Sequence, residues 1–331
     1  MLEKLNCYVE RFGILLITVA LIAGMAGCGP PSQTSQNLEI RTWYDLDAVR
    51  NNLHGHHILM NDLDSTIAGY TELASPTANQ RQGWKPIGTE DDLFVGTFDG
   101  QGYEIHDLFS NHTDEMDVGL LGVVGEGGVV QNVGVVNGNV TGYDNVGGLV
   151  GKNEGTVSNS YSTGNLNGTG RVGGLVGVNL GTVSSSYSSG SVTGNECVGG
   201  LVGNNSGTAS KSYSTSSVIG DVNVGGLVGE NEGTVGDSYS TGNVTGNTNV
   251  GGLIGKNQGT VSNSFWDTET SGQGSSDGGS GNTTAEIMDI DTFKGVGWDI
   301  VAVANSGARN TTYIWNIVNT VTYPFLSWQP V

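Results

Sequence analysis

Apolar residues and glycines recur along the middle of the chain at a strict interval of 26 residues. The hexapeptide VGGLVG begins at Val146 and returns, with a single Val-to-Ile change, at Val172, Val198, Val224 and Val250. A period of this length indicates stacked units, because one short unit cannot bury its apolar face alone and must pack on its neighbours. The pattern therefore predicts five stacked coils, preceded by a degenerate copy.

The length of the repeat selects a solenoid over a propeller. A propeller blade needs about 40 residues for its four strands, whereas one coil of three short strands and turns fits a shorter repeat. Equivalent residues of successive coils would then lie about 4.8 Å apart, the spacing of paired strands. Stacked Val and Leu would fill the interior, stacked asparagine amides would form a ladder, and aligned aromatic rings would stack. The expected ladder positions are Asn153, Asn179, Asn205, Asn231, Asn257, Tyr161, Tyr187, Tyr213, Tyr239 and Phe265.

One column conflicts with a simple strand. In TVSNSYS, alternation places Val157, Asn159 and Tyr161 on one face, yet the equivalents of Asn159 include Lys211 and Asp237, which should not be interior. A bulge or corner between the valine and the tyrosine would resolve the conflict. The sequence leaves open which side the tyrosines face.

The flanking segments predict the two ends of the solenoid, where an uncovered sheet edge would invite aggregation. Thr42 precedes Asp45 with N-cap spacing, and Leu46, Val49 and Leu53 share one helical face, so we expect a short capping helix there. After the repeats, the glycine- and serine-rich stretch is expected to be a flexible acidic loop. The tryptophan-rich tail after it is expected to form a small C-terminal cap.

The N-terminus has the features of a secretory signal. Lys4 and Arg11 precede an apolar run that is too short to span a bilayer comfortably, and the small residues Ala26 and Gly27 precede Cys28. This ending resembles a bacterial lipobox, which implies cleavage and lipidation of Cys28; an uncleaved anchor and a plain secretory signal are the alternatives. The predicted organisation is a signal peptide (1–27), a flexible tether (28–38), an N-terminal cap with irregular β coils (39–117), a degenerate repeat (118–145), five repeats (146–265), a flexible acidic loop (266–282) and a C-terminal cap (283–331).

Composition narrows the range of partners. The chain has 12 Lys and Arg against 32 Asp and Glu, a formal charge of −20, which repels phosphate backbones and makes nucleic acid an unsuitable partner. If the signal is removed and Cys28 is lipidated, Cys197 is left as the single thiol and no intramolecular disulfide can form. Packing and hydrogen bonds must then stabilise the fold.

The copies of VGGLVGxNxGTVSxSYSTGxVTG resemble the GLUG motif repeats of bacterial and archaeal surface proteins, including non-catalytic regions of some IgA-cleaving peptidases. The flanks WKPIG, FVGTFDGQGYEIHDL, SFWDTETSGQ and YPFLSW are similar to the usual surroundings of such repeats. The resemblance implies an all-β fold, a right-handed parallel β-helix. It also implies an adhesin-like role rather than an enzymatic one.

Catalytic and metal-binding patterns are weak. The chain has no HExxH motif, so the peptidase relatives lend it no activity. A GxSxG pattern begins at Gly274, but it lies in the low-complexity loop without the strand and helix that a nucleophile needs. His54, His56 and His57 are weak metal candidates that are better explained as a polar turn, and weakly bound calcium is conceivable at TEDD or DTETSGQGSSD. No cofactor is expected.

These observations predict a non-enzymatic, lipid-anchored surface lipoprotein that contacts the membrane through its N-terminal lipid and binds an extracellular protein or glycan. The alternatives are a carbohydrate-active β-helix enzyme, for which Glu230 and Glu232 are the least implausible pair, and a self-associating envelope scaffold. A solenoid can vary some columns for a partner while others hold its shape. The variable columns, and therefore the predicted binding face, are Lys152, Val178, Asn204, Glu230 and Lys256, with Glu154, Leu180, Ser206, Glu232 and Gln258.

Overall fold

The computed structural model describes residues 38–330, which form a β-solenoid of stacked, mostly parallel strands. The predicted all-β parallel β-helix is therefore confirmed. The signal peptide, the Cys28 lipidation site and nearly all of the tether lie outside the described residues.

Three long sheets run along the solenoid, and a small fourth sheet lies in the C-terminal segment. Sheet A contains Leu38–Ile40, His56–Leu59, Thr97–Asp99, Val129–Gln131, Thr156–Ser158, Thr182–Ser184, Thr208–Ser210, Thr234–Gly236 and Thr260–Ser262. Sheet B contains Glu104–His106, Phe109–Val118, Gly134–Gly147, Tyr161–Asn167, Val172–Gly173, Tyr187–Thr193, Glu196–Gly199, Tyr213–Ser214, Ser217–Ile219, Val222–Gly225, Tyr239–Ser240, Val244–Thr245, Thr248–Gly251, Phe265–Asp267 and Ser280–Asn282. Sheet C contains Leu121–Val124, Val150–Asn153, Val176–Asn179, Val202–Asn205, Val228–Asn231 and Ile254–Asn257. Sheet D contains Ile300–Ala302, Trp315–Ile317 and Phe325–Leu326.

The helices in the described part of the chain are short and lie outside the repeats. The α-helices are Trp43–Ala48, Tyr70–Leu73, Thr284–Ile287 and Ile290–Lys294, and the 3₁₀ turns are Val49–Asn51 and Asn79–Arg81. Within residues 38–330, no helix is long and apolar enough to cross a membrane.

Successive coils pair at equivalent residues. Val157 pairs with Val183 in sheet A, Tyr161 with Tyr187 in sheet B, and Val176 with Val202 in sheet C. A side chain therefore stacks on the same residue type of the next coil, which is why the repeat tolerates so little change. The valines and leucines of these columns are fully buried and form one continuous core.

Glycine is required where another side chain already fills the interior of the coil. A Cβ atom on Gly148 would lie 1.9 Å from the hydroxyl oxygen of Ser162, which is itself buried inside the solenoid. In the last coil Trp266 takes the serine position, and a Cβ on Gly252 would lie 2.0 Å from its indole ring. The glycine thus makes room for the residue across the interior.

The corner expected before the tyrosines is present. Asn159 and its equivalents Ser185, Lys211, Asp237 and Asn263 all adopt a left-handed backbone, with φ between 45° and 53°. This turns the chain between sheets A and B, so the column lies at the surface and can hold lysine or aspartate. The serine after it, Ser160 and its equivalents, is buried and accepts the backbone N–H of the preceding coil, for example at 3.2 Å from Ser160 N to Ser186 Oγ.

The predicted N-terminal helix is also present. Thr42 and Asp45 form a reciprocal capping box, and Trp43, Leu46 and Val49 are fully buried in the main core. The helix follows the edge strand of sheet A directly and adds its apolar face to that core.

At the C-terminal end, the two segments differ from expectation. Residues 268–279, expected to be a flexible loop, bond to the last coil: Ser276 Oγ accepts from the N–H groups of Leu253 and Ile254, and Asp277 accepts from Asn257 N. This loop therefore closes the end of the solenoid. The tail beyond residue 283, expected to be that cap, instead packs along the side of the coils against the tyrosines.

Candidate functional site

The first variable column lies on sheet C, and the second lies in the turn that follows each sheet C strand. Val178 pairs with Lys152 on one side and with Asn204 on the other, and the column continues through Glu230 to Lys256. The second column, from Glu154 to Gln258, follows two residues later in each coil, and Leu180 in it is 44% exposed. The structure thus places both columns on one side of the solenoid, but Val178 in the first column is buried, at 8% exposed.

An asparagine ladder fixes this face from beneath. Each Asn side chain donates from Nδ2 to the Oδ1 of the next coil, at 2.8 Å for Asn153, Asn179 and Asn205 and at 2.7 Å for Asn231. The same amides also bond to backbone carbonyls on their own and the following coil, as Asn179 does with Gly181 and Thr208. Because the ladder lies directly beside the variable column, the backbone under that column cannot change when its side chains do.

A groove runs where sheet C meets the edge of sheet B. Its volume is about 300 Å³. Its lining residues are Asp144, Gly170, Arg171, Glu196, Cys197, Asn204, Val222, Asn223, Glu230 and Glu232. Two of the predicted binding residues of the first column, Asn204 and Glu230, therefore form one wall of a concave surface.

Glu230 is the centre of the groove's polar contacts. Its carboxylate lies 2.6 Å from Lys256 Nζ and accepts from Cys197 Sγ at 3.2 Å, Asn223 Nδ2 at 3.2 Å and Gln258 Nε2 at 3.0 Å. Burial by itself would raise the pKa of Glu230, but the hydrogen bonds from Lys256 and Cys197 outweigh it and the pKa is lowered. Glu230 is consequently a fixed negative charge.

Cys197 is an unreactive thiol in this environment. Burial, and then the hydrogen bond to Glu230, raise its pKa to about 12. A thiol with so high a pKa carries almost no thiolate at neutral pH, and the thiolate is the nucleophile. The absence of a disulfide partner for Cys197 within residues 38–330 therefore leaves a structural cysteine.

Three further ion pairs set the charge pattern along the face. Lys152 lies 2.8 Å from Glu90 and 2.9 Å from Glu154, and Arg171 lies 2.7 Å from Asp144 at the mouth of the groove. Nearer the middle of the face, Ser206 donates to Glu232 at 2.9 Å. Charges of both signs therefore lie toward the two ends of the face, with Val178, Leu180, Asn204 and Ser206 between them.

The groove is poorly equipped for glycoside cleavage. Such chemistry needs a carboxylic acid with a raised pKa beside a second carboxylate, and aromatic side chains to hold the sugar. The pKa of Glu230 is lowered, Asp144 is paired with Arg171, and none of the lining residues is aromatic. Glu230 and Glu232 therefore lack the environment that a catalytic pair requires.

The repeat tyrosines face away from the main core. Successive rings are nearly parallel, with centroids 4.7, 5.0 and 5.1 Å apart from Tyr161 to Tyr239. They form a second core with the C-terminal segment, which covers them with Trp298, Trp315 and Trp328. The tail therefore covers the aromatic column along most of its length.

The histidine cluster is dispersed. His57 is fully buried, 2.8 Å from the carbonyl oxygen of Asn52, and burial lowers its pKa, whereas His54 is exposed. Within residues 38–330, no three His, Cys, Asp or Glu side chains are placed to hold a metal ion. In the GxSxG pattern, Ser276 bonds to the last coil.

Sequence reasoning missed one column of the groove. Asn145, Cys197, Asn223 and Asn249 have left-handed backbones immediately before the Val-Gly repeat, and they stack with Arg171 along the junction of sheets B and C. Asn249 donates to Asn223 at 2.7 Å, and Asn145 donates to Asp117 at 2.7 Å. The recurrence of asparagine, the residue most tolerant of this conformation after glycine, was the available signal.

Residues 142–167 and 220–245 match the GLUG motif family. The chain carries GLUG repeats. Each match covers one coil, running from the end of one sheet B strand through sheets C and A and back to sheet B. A GLUG motif is thus one turn of this solenoid, and its invariant letters are the residues that stack or leave room for stacking.

Two relatives match about a third of the chain. A Gly-rich membrane protein of Evansella cellulosilytica is 38% identical over 125 residues, which is 36% of this chain and 14% of the relative. Halomucin of Haloquadratum walsbyi is 30% identical over 125 residues, 37% of this chain and 1% of the relative. The chain therefore matches only small parts of these proteins, whose names indicate membrane or surface locations.

A solved structure shares the fold over most of the chain. The crystal structure described as an immunoglobulin A1 protease from Bacteroides ovatus superposes with a TM-score of 0.62 and 19% identity, over 90% of this chain and 94% of that chain. At this identity the likeness concerns the fold alone.

Proposed function

We propose that this GLUG chain is a non-enzymatic, lipid-anchored surface module that binds an extracellular protein through the outer face of sheet C. The observation that carries the proposal is the separation of constant and variable columns. The constant ones are buried or stacked, and the variable ones, apart from the buried Val178, reach solvent beside the asparagine ladder. Repeat proteins use such faces for recognition.

The chemistry of the face favours a protein partner. Lysine and glutamate groups lie toward both of its ends, the exposed Leu180 adds an apolar contact between them, and the groove beside it is about 300 Å³. Charges of both signs at fixed positions set the register of a partner and disfavour surfaces of uniform charge. The pKa of Glu230 is lowered by its hydrogen bonds and that of Cys197 is raised by burial, so neither side chain is suited to be a general acid or a nucleophile. This supports a binding role over catalysis.

A protein array probed with residues 29–331 tests the binding half. The expected result is capture of an extracellular matrix or cell-surface protein, reduced at least tenfold by Lys152→Glu together with Lys256→Glu. Lys211→Glu, at a corner between sheets A and B, is the control for each single substitution, because it makes one Lys-to-Glu change away from sheet C. Binding only to glycans, unaffected by the double variant, would contradict the proposal, and light scattering that shows a filament or large oligomer would favour a self-associating scaffold.

The anchoring half rests on the lipobox-like sequence before Cys28 and on the membrane and surface names of the two relatives. Cell fractionation and surface labelling of the wild type and Cys28→Ser test it. We expect the wild type in the membrane fraction and the variant released. Equal membrane retention of both would show that the lipid is not the anchor.

A further inference from the structure

A second pocket lies at the N-terminal end of the tyrosine stack, on a different side of the coil from sheet C. Its volume is about 300 Å³, and it is lined mainly by Tyr161, Trp328, Gln101, Asn132 and Gly134. The stack ends here because the preceding coil places Gly134 opposite Tyr161. A Cβ on Gly134 would lie 2.4 Å from the Tyr161 ring, so this first ring of the stack packs directly against the Gly134 backbone.

The aromatic wall of the pocket is rigid. The Trp328 ring lies 6.3 Å from the Tyr161 ring and 6.0 Å from the Tyr187 ring, and its indole Nε1 donates to Ser185 O at 3.0 Å. The hydroxyl of Tyr161 donates to Glu104. The other five tryptophans are at most 6% exposed, whereas Trp328 is only partly buried and presents its ring to solvent.

The polar wall is held in place by a buried carboxylate. Asp99 is 8% exposed and accepts four hydrogen bonds, from Gln101 N at 2.9 Å, Gln101 Nε2 at 2.8 Å, Gln131 Nε2 at 3.0 Å and Asn132 Nδ2 at 3.0 Å. The exposed Gln101 amide is therefore held in one orientation, with Oε1 left to accept from a ligand. Gln101 also has a left-handed backbone, with φ at 55°, a conformation that costs energy for a residue with a side chain.

We propose that this pocket binds one pyranose ring of an uncharged glycan. The C–H face of a pyranose is apolar and packs on an aromatic ring, while its hydroxyl groups need fixed acceptors and donors at the rim. The pocket supplies both, and its size is at the lower end of small-ligand sites, as suits a single sugar ring. No lysine or arginine lines it, so an anionic sugar would gain no charge partner there. This inference is independent of binding at sheet C.

Trp328 supplies the readout. As the one indole of the six that is not buried, it should dominate acrylamide quenching of the fluorescence, and a bound sugar should protect it. The probes are the methyl glycosides of glucose, galactose and mannose, with N-acetylglucosamine, at millimolar concentration. Saturation-transfer NMR on the same samples identifies which sugar protons contact the protein. We expect at least one probe to show both protection and saturation transfer.

Gln101→Gly removes the proposed acceptor and keeps the left-handed backbone, which glycine adopts readily, while Asp99 retains three of its four hydrogen bonds. It should weaken the responding sugar about fivefold, the value expected for one neutral hydrogen bond. Thr320→Gly is the matched control, since Thr320 is also exposed and left-handed, with φ at 61°, but lies outside the pocket. The control should bind as the wild type does.

Trp328→Leu tests the aromatic wall while keeping an apolar side chain over the tyrosines. Saturation transfer from the sugar should be lost, with circular dichroism showing an unchanged fold. The proposal is overturned if none of the probes binds, if Gln101→Gly and Trp328→Leu both bind as tightly as the wild type, or if only a proline-rich peptide protects Trp328. The sheet C charge variants should leave sugar binding unchanged, so failure at either surface can be told from failure at the other.

Discussion

The asparagine ladder and the tyrosine stack are both columns of identical residues at the same interval, yet they are satisfied in different ways. Each asparagine finds its partner in the next copy of itself, and the four inner bonds are 2.7 to 2.8 Å long. The tyrosines stack on one another, but their outer edges are covered by a tail that does not repeat. Tyr213 donates to Gln329 at 2.8 Å, and Tyr239 donates to the Pro324 carbonyl.

The two columns are therefore weakened by different kinds of substitution. The ladder has a direction, so its first member, Asn153, leaves Oδ1 buried without a partner because the preceding coil offers Val124 there. The tyrosine stack depends instead on a segment that can be removed without breaking any coil. We therefore expect ladder defects to weaken the whole solenoid and tail defects to act locally first.

The largest effect is expected from Trp315→Ala. Trp315 is 1% exposed and contacts both Tyr213 and Tyr239, so truncation should lower the free energy of unfolding by about 3–5 kcal/mol. Hydrogen exchange should show loss of protection in the tail before the coils. Trp315→Phe is the control: it keeps a ring and removes a buried N–H that has no partner, so it should cost far less. Uniform loss of protection would contradict a locally acting tail.

Asn205→Ala should rank second, at about 3 kcal/mol, because it leaves Asn179 Nδ2 and Asn231 Oδ1 without their ladder partners inside the core. Urea denaturation measures the loss. The adjacent Asn204→Ala, on the partly exposed face, should stay within about 0.5 kcal/mol of the wild type. Similar losses of stability for both variants would show that a ladder asparagine stabilises the fold no more than the adjacent surface residue does.

Asp267 makes the join between tail and solenoid sensitive to acid. It is fully buried and accepts from Tyr323 and Thr284, each at 2.7 Å. Burial acts to raise its pKa, but these hydrogen bonds, with two from the backbone, lower it below the ordinary 3.8. Because the folded pKa is the lower one, the stabilisation is complete above the unfolded value and is lost as pH falls through the folded pKa.

Asp267→Asn should therefore cost about 2 kcal/mol at neutral pH and flatten the loss of stability as the pH falls below the ordinary aspartate pKa of about 4. Thermal unfolding across that range, beside the wild type, is the measurement. Asp91→Asn, at an exposed aspartate away from the tail, controls for the change of charge. An unchanged pH profile in the Asp267 variant would show that Asp267 does not cause the loss of stability in acid.

Two conservative variants give smaller effects within the stack. Tyr239→Phe loses the hydrogen bond to Pro324 and should cost about 1 kcal/mol, whereas Tyr187→Phe keeps its stacking contacts at 4.7 and 5.0 Å and should cost less. Chemical denaturation of the pair separates tail attachment from ring stacking. Equal costs would mean that stacking, not the tail, holds the column.

The smallest effect is expected from Leu180→Ser on the variable face. Leu180 is 44% exposed, and serine already occupies its column at Ser206, so stability should change by less than about 0.5 kcal/mol. Partner binding, not unfolding, should report this change. A large loss of stability would show that the variable columns also carry the fold.

Periodicity alone predicted the coils, the register and the amide ladder, because in a stacked parallel sheet each residue meets its own equivalent. Local spacing likewise predicted the capping box at Thr42 and Asp45, since its atoms are four residues apart at most. The candidate binding face was predicted from the two columns whose residues differ between otherwise similar copies. The groove beside it was not, because it forms only where residues of sheets B and C from different coils meet.

The 26-residue repeat is enough to specify the solenoid, because its Val, Leu, Gly and Asn residues pack against the equivalent residues of the next copy. Only the tertiary structure decided that Asn159 turns the chain with a left-handed backbone, that the tyrosines face outward, and that the tail lies over them while residues 268–279 close the end. The physical reason is that repeat-to-repeat contacts are encoded at a fixed separation. The contacts of the tail join residues as far apart as Trp328 and Ser185, with no periodic signal to reveal them.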